Sequence, residues 1–149
     1  MERNEYIDKI SDLCKLVRVE ASLSQDKMAQ ILGISKKSLV ETEKGRRKLS
    51  FSEAVAVSAI FSQSTVLQNE FGGELSDMIR AVAFKDEKVT YPQTMGGKIW
   101  WNDVKEKGGY RIQQNILSKH YRILNAQDER MISSFDKEEI DTYFDQLKI

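Results

Sequence analysis

The chain of 149 residues is 40% hydrophobic and 31% charged, which is enough apolar material for folded domains and argues against intrinsic disorder. A single cysteine, Cys14, excludes an internal disulfide, and no apolar run reaches the roughly 18 to 20 residues of a membrane span, so we expect a cytoplasmic protein that does not contact a membrane. The zero net charge is unevenly divided: residues 1–50 carry 11 Lys and Arg against 8 Asp and Glu, whereas residues 51–149 carry 12 against 15.

Helix signals dominate the first part of the sequence. Ser24 and Ser35 are suited to cap two short helices, Gly33 to end the first of these two, and Ser50 with Glu53 to form a capping box. Only residues 33–35 separate the two short helices, so these helices must cross steeply. Together with the apolar periodicity, the caps predict six helices, at about 4–21 with a cap at Asn4, 25–32, 35–44, 50–61, 65–71 and 74–84.

The composition and periodicity of the sequence change after residue 84. Residues 85–97 contain the only proline and show no period, which indicates a linker. Beyond the linker, segments rich in aromatic and β-branched residues predict an antiparallel meander with strands at 98–105, 110–116, 120–125 and 130–135. Asp136 and Glu139 then resemble a capping pair for a terminal amphipathic helix. We therefore predict a helical domain over 1–84 and a small α+β domain over 98–149.

Basic residues concentrate in one short stretch, residues 35–50, which we call the basic segment. It contains two acids, Glu41 and Glu43, and six bases: Lys36, Lys37, Lys44, Arg46, Arg47 and Lys48. A charge cluster alone is often only a solvated surface, but next to two closely spaced helices it suggests contact with a polyanion.

The residues around the two short helices resemble the Xre/Cro family of helix-turn-helix repressors of bacteria and phages. The resemblance covers about residues 8–71 and depends on Ser24-Gln25, Met28-Ala29, Leu32-Gly33-Ile34-Ser35, Leu39 and Glu43-Lys44-Gly45-Arg46-Arg47. It implies a five-helix, lambda-repressor-like domain that binds double-stranded DNA and regulates transcription, usually as a repressor. The recognition helix is then residues 35–44, which enters the major groove.

Base contacts are implied for the exposed side of that helix. By the resemblance, Lys36, Lys37 and Glu41 stand where such repressors place base-reading side chains. Lysine can donate to guanine and glutamate can accept from cytosine, so a G·C-containing half-site is the hypothesis. Two alternatives remain open: the lysines contact phosphates or only water, and Glu41 forms a surface pair with Lys37.

Contacts to the DNA backbone are implied for residues around the helix ends. Gln25 occupies the position that in this family bridges a phosphate and the recognition helix. The predicted set is Gln25, Ser35, Ser38, Lys44, Arg46, Arg47 and Lys48. Two positions depart from the family pattern: Thr42 stands in place of a larger apolar residue, and Leu49 in place of a common proline.

The second domain is expected to dimerise, to bind an effector such as a small molecule or another protein, or both. Two DNA-binding domains placed one helical turn apart contact more DNA than one domain does, which favours a homodimer. Adjacent strand residues point to opposite faces, so of Trp100 and Trp101 one should fill the core and the other should meet a partner, a ligand or the terminal helix. Gln113, Gln114 and Asn115 could line a polar pocket, although ordinary exposed strand residues explain them equally well. The candidate dimer or ligand residues are Trp100, Trp101, Ile140, Tyr143 and Phe144, with Leu75, Met78, Ile79 and Val82 as a second possible seam.

Enzymatic functions are disfavoured by the residue inventory. One His and one Cys are too few for a usual zinc site, and no glycine-rich phosphate loop occurs, so we expect neither an enzyme nor a cofactor. The self-cleaving repressor mechanism lacks its Ala-Gly or Cys-Gly bond. The main alternative is an antitoxin or anti-repressor that uses the helix-turn-helix fold to bind a protein.

Overall fold

A computed structural model describes residues 1–91 and 100–148. The chain divides into two compact units, residues 1–90 and residues 91–149. The described residues form seven helices and one four-stranded antiparallel sheet, so the protein is α+β with a helical N-terminal part. None of the helices in these two stretches is long and apolar enough to cross a membrane. Most of the predicted linker, residues 92–97, and the predicted strand start at 98–99 lie outside the described residues.

The first unit consists of six helices: α1 (Arg3–Glu20), α2 (Gln25–Leu32), α3 (Lys36–Glu43), α4 (Phe51–Ile60), α5 (Thr65–Phe71) and α6 (Leu75–Ala83). Their bounds agree closely with the predicted helices because local caps define most of the ends. Ser24, Ser35, Ser50 and Ser64 each accept a hydrogen bond from the backbone N–H three residues later. The predicted cap at Asn4 is wrong: α1 already begins at Arg3, with Glu2 in the capping position and no side-chain bond.

The core of the first unit is built on one stripe of α1. Tyr6, Ile10, Cys14 and Val17 are at most 1% exposed and follow the three- and four-residue spacing of a helix face. The Tyr6 hydroxyl donates to the Ala54 carbonyl oxygen at 3.0 Å, which joins α1 to α4 and satisfies the polar end of a buried ring. The stripe on α6 belongs to the same core, since Leu75 and Val82 are buried and Met78 and Ile79 pack against it. This stripe therefore faces inward and is not a dimer seam.

The second unit is an antiparallel meander followed by one helix, as predicted. Its strands are β1 (Trp101–Lys107), β2 (Tyr110–Asn115), β3 (Tyr121–Leu124) and β4 (Arg130–Ser134), paired in chain order, and its helix is α7 (Lys137–Asp145). Gly108 and Gly109, with φ of +60° and +86°, make the tight turn between β1 and β2, where both positions require the left-handed region.

Helix α7 covers one face of the sheet. Ile140 and Phe144 are at most 2% exposed and form a core with Ile112 and Ile123. Asp136 caps the helix by accepting from the Glu138 N–H at 2.9 Å. The predicted reciprocal bond from Glu139 is absent among the described contacts, because that carboxylate accepts from the Ser134 hydroxyl at 2.6 Å.

Burial of Cys14 predicts a specific dependence of stability on pH. Burial, assisted by the nearby Glu43 carboxylate, raises the pKa of Cys14 from 9.0 to about 11. Between these values the unfolded chain releases a proton that the folded chain keeps, so the free energy of unfolding falls as pH rises from about 9 to 11. We expect the wild type to lose about 2 kcal/mol more than Cys14→Ala over this range. Urea titrations at pH 8 and 11 measure the loss, and equal losses in both proteins would contradict the assignment.

Candidate nucleic-acid interface

The turn between α2 and α3 sets the direction of the third helix. Gly33 adopts a φ of +74°, where an L side chain is strained, and the Ile34 N–H returns to the Ala29 carbonyl oxygen at 3.0 Å. Ser35 then accepts from the Ser38 N–H at 3.0 Å, and its hydroxyl lies 2.9 Å from the Ser38 hydroxyl. Both serines, predicted to contact the DNA backbone, thus already help to begin α3.

Helix α3 has one buried and one exposed side. Leu39 is fully buried and Thr42 is 3% exposed, so these two residues anchor the helix. Lys36 and Lys37 are exposed, and Glu41 is half-buried. The three predicted base-contacting residues therefore do not share the burial of the two anchors, and the two lysines are accessible to a large partner.

A buried ion pair holds the C-terminal end of α3. The Arg18 guanidinium of α1 makes two hydrogen bonds to the Glu43 carboxylate, at 2.8 and 2.9 Å, and a third to the Leu23 carbonyl oxygen at 3.0 Å. The two side chains are only 14% and 4% exposed, and the bonds to Glu43 raise the pKa of Arg18. The Gln25 amide reaches the same carboxylate at 3.4 Å. The resemblance implies that Gln25 bridges a DNA phosphate and the recognition helix, and this hydrogen bond provides the contact to the helix.

Arg47 was predicted to clamp the DNA backbone, but its guanidinium is engaged within the protein. It donates to both Glu53 oxygens, at 2.8 and 3.0 Å, and to the Thr42 hydroxyl at 3.2 Å. Burial opposes ionisation of Glu53, but hydrogen bonds from Ser50 and Arg47 outweigh it and lower the pKa of the carboxyl. Arg47 therefore ties the end of α3 to the start of α4, because it satisfies a buried hydroxyl and a half-buried carboxylate together.

Several other cations of the basic segment have acidic neighbours. Lys36 lies 3.1 Å from Asp26, and Lys48 lies 3.3 Å from Asp12 and 3.7 Å from Asp8. Glu41 pairs with Arg46 at 3.9 Å instead of with Lys37. These pairs are largely exposed, so each contributes at most about 1 kcal/mol and a phosphate can displace the carboxylate.

Two lysines differ from this pattern. Within residues 1–91 and 100–148, neither Lys37 nor Lys44 has an ion-pair partner, and both side chains are exposed. Lys37 lies in the first turn of α3 and Lys44 directly follows its last residue. The helix therefore carries an uncompensated positive charge at each end.

The candidate partner residues of the second unit are placed differently from the prediction. Trp100 precedes β1 and is 37% exposed, whereas Trp101 begins the strand and is half-buried. Neither ring belongs to the core under α7, so the expected division between core and surface is wrong. Ile140 and Phe144 fill that core and cannot form a seam, while Tyr143 packs at its edge.

Sequence reasoning missed the acids that accompany the cations. Asp8 and Asp12 lie on α1, four residues apart, and so share one side of that helix. That spacing was the available signal, but nothing local shows that Lys48 reaches Asp12 across 36 positions of the chain, or Asp8 from still farther away. Arg18, the partner of Glu43, was missed for the same reason.

No family model matches the chain, and no curated protein or solved structure shows significant similarity to it. What this surface binds must therefore be inferred from its own residues.

The buried pair between Arg18 and Glu43 should be worth much more than the exposed pairs. Glu43→Ala leaves a buried guanidinium without its partner, which costs about 3 to 5 kcal/mol of unfolding free energy. The double variant Arg18→Met/Glu43→Leu should recover most of this loss, because it removes both charges and keeps the volume. Urea unfolding followed by circular dichroism measures both.

The exposed pair provides the matched control: Asp26→Ala, which removes the partner of Lys36, should cost less than about 1 kcal/mol. Similar losses for Glu43→Ala and Asp26→Ala would show that the buried pair does not hold α3.

Proposed function

We propose that this protein binds double-stranded DNA through α3 and regulates transcription, most simply as a repressor in the cytoplasm. The observation that carries the proposal is the exposed, lysine-bearing side of a helix whose other side is anchored by Leu39 and Thr42. A helix of this kind fits the major groove of B-DNA, which is about 12 Å wide. The resemblance of residues 8–71 to the Xre/Cro repressors supports the same function.

Phosphate contacts in this proposal come from residues around the C-terminal end of α3. Lys44 and Arg46 follow the helix and are exposed, and Lys48 becomes available once a phosphate displaces Asp8 and Asp12. Gln25, beside Glu43, can add an amide donor. Such contacts position the protein without reading sequence. Arg47 leaves the set because Thr42 and Glu53 use its donors.

The proposal includes a homodimer on DNA. One DNA-binding domain of this size buries roughly 600 to 1,000 Å² of protein surface on DNA, which is small for a regulatory complex. A second copy bound one helical turn away doubles the buried surface. The spacing of half-sites in selected DNA would report the dimer directly.

A protein-binding role, as in an antitoxin or anti-repressor, is the second candidate. It is favoured by the acidic neighbours of Lys36 and Lys48, because Asp26, Asp8 and Asp12 weaken the positive field that DNA would meet. DNA binding at low salt separates the two candidates. A chain that shifts no duplex even in dilute buffer would support the protein-binding role.

Substitution of single cations should change the salt dependence of DNA binding. Each phosphate contact contributes about 0.9 to the slope of log Kd against log salt concentration. We expect Lys44→Ala and Arg46→Ala each to weaken binding to all sequences and to lower the slope by about 0.9. Electrophoretic mobility shifts of a random duplex at several salt concentrations measure the slope.

Lys137→Ala is the matched control, because Lys137 is an exposed cation on the second unit. An unchanged slope in both test variants, or the same change in the control, would remove these residues from the interface.

Base reading should appear as a sequence preference that depends on α3. Selection from random duplexes should enrich G·C pairs at the positions that Lys36 and Lys37 reach. Lys37→Ala should then relax the preference at one position by about tenfold, whereas Lys44→Ala should weaken all sequences equally. Enrichment of pure A·T sites would contradict base reading by these lysines.

A further inference from the structure

The sheet of the second unit has a face that α7 does not cover. On this face a polar row crosses three strands: Asp103 is paired with Gln113 in the sheet register, and Gln113 with Arg122. The Gln113 amide donates to Asp103 at 2.8 Å and accepts from the Arg122 Nε–H at 2.9 Å. Gln113 is only 8% exposed. A buried amide is thus held between a carboxylate and a guanidinium, which fixes the position of both.

Arg122 is held on two sides and has donors to spare. Its guanidinium lies over the Trp101 ring, 3.7 Å from the centroid, and its Nε–H is used by Gln113. Among the described residues, its two terminal nitrogens form no hydrogen bond. Burial, together with the charges of Arg130 and Arg111, lowers the pKa of Arg122. The group is therefore ordered in advance, charged, and short of acceptors.

A cavity opens beside this guanidinium. Its volume is about 540 Å³, and it is lined by Trp101, Leu124 and Gln113 together with two arginines, Arg111 and Arg122, and two aspartates, Asp103 and Asp128. Asp128 contacts Arg111 and Asp103 accepts from the Gln113 amide, so both lining carboxylates are engaged, whereas Arg122 forms no ion pair with a carboxylate within the described residues. The volume falls in the range of small-molecule sites, about 300 to 1,000 Å³, and is much larger than an inorganic ion needs.

We propose that this cavity binds a small organic anion whose carboxylate or phosphate accepts hydrogen bonds from the terminal nitrogens of Arg122. The two parallel N–H groups of a guanidinium match such an anion in a bidentate arrangement. The body of the ligand lies against Trp101 and Leu124, which supply the apolar part of the lining. Gln113 and Asp103 are positioning residues, because they hold Arg122 in the orientation that the ligand meets.

This site gives the second unit the role of a sensor and does not depend on the proposed binding of DNA. The experiment below contains no duplex, so its failure and the failure of the DNA proposal are distinguishable.

Tryptophan fluorescence can report binding directly. The full-length chain with Trp100→Phe keeps Trp101 as its single tryptophan. The probes are benzoate and phenyl phosphate, with benzamide as the neutral analogue of benzoate and inorganic phosphate as the anion without a body. We expect at least one aromatic anion to change the fluorescence saturably. Benzamide should bind at least about tenfold more weakly than benzoate, because a charged hydrogen-bonded pair is lost. Inorganic phosphate should bind more weakly than phenyl phosphate, because it has no apolar part to lie against Trp101 and Leu124. Absence of saturable binding by both aromatic anions would overturn the proposal.

Two variants test the role of the guanidinium. Arg122→Lys keeps the charge but loses the bidentate edge, and it should weaken binding at least about tenfold. Arg122→Gln removes the charge and the paired terminal N–H groups, and it should abolish anion binding while circular dichroism shows the fold intact. Arg122→Gln also decides the question if Arg122→Lys does not fold.

Arg130→Lys is the matched control, since Arg130 is exposed and does not line the cavity. It should change affinity by less than about threefold. Equal effects of Arg122→Lys and Arg130→Lys would indicate only general charge attraction and would overturn the proposal. Tighter binding by a short oligothymidylate than by phenyl phosphate would assign this face to nucleic acid and would overturn it as well.

Discussion

The arrangement of the first unit depends on the ion pair between Arg18 and Glu43. Desolvating two nearly buried charges costs free energy. Hydrogen bonds offset this cost here, because Arg18 donates three of them and the Glu43 carboxylate also accepts one from the Gln25 amide. The pair joins α1 to the last residue of α3, while the Ser35 cap holds the other end. With both ends of α3 fixed and Leu39 beneath it, the lysine-bearing side is left outward. The proposed interface follows from this constraint.

Two positions that differ from the repressor pattern which residues 8–71 resemble each make specific hydrogen bonds in this structure. Thr42 stands where a larger apolar residue is usual, and its hydroxyl is satisfied by the Ser38 carbonyl oxygen at 2.8 Å and by Arg47. Leu49 stands in place of a common proline, is 2% exposed, and donates its N–H to the buried Ser11 hydroxyl at 3.0 Å. A proline has no N–H for Ser11. At Thr42 hydrogen bonds thus take the place of apolar packing, and at Leu49 a hydrogen bond takes the place of the backbone restriction that proline would impose.

Local chemistry was readable from the sequence, and long-range pairing was not. The serine caps, the helix end at Gly33 and the meander could be predicted because each depends on residues within a few positions. Arg47 is an intermediate case: its partners Thr42 and Glu53 lie only five and six positions away, but no local pattern shows that the guanidinium turns toward them. Ile140 and Phe144 were offered as a seam because an amphipathic stripe does not reveal whether its own sheet or a second copy covers it. The prediction that Trp100 and Trp101 point to opposite faces of the sheet was wrong because β1 begins at Trp101, so Trp100 is not part of the strand.

The six cations of the basic segment do not contribute equally to the proposed contact with DNA. Arg47 is structural, and Lys36, Arg46 and Lys48 begin with carboxylate neighbours. Exchanging an exposed carboxylate for a phosphate breaks one ion pair and makes another, so the net gain is small. Only Lys37 and Lys44 add a new pair without losing one among the described residues. Non-specific affinity should therefore be modest for so basic a segment, and discrimination between sequences must depend on the side chains that α3 presents to the groove.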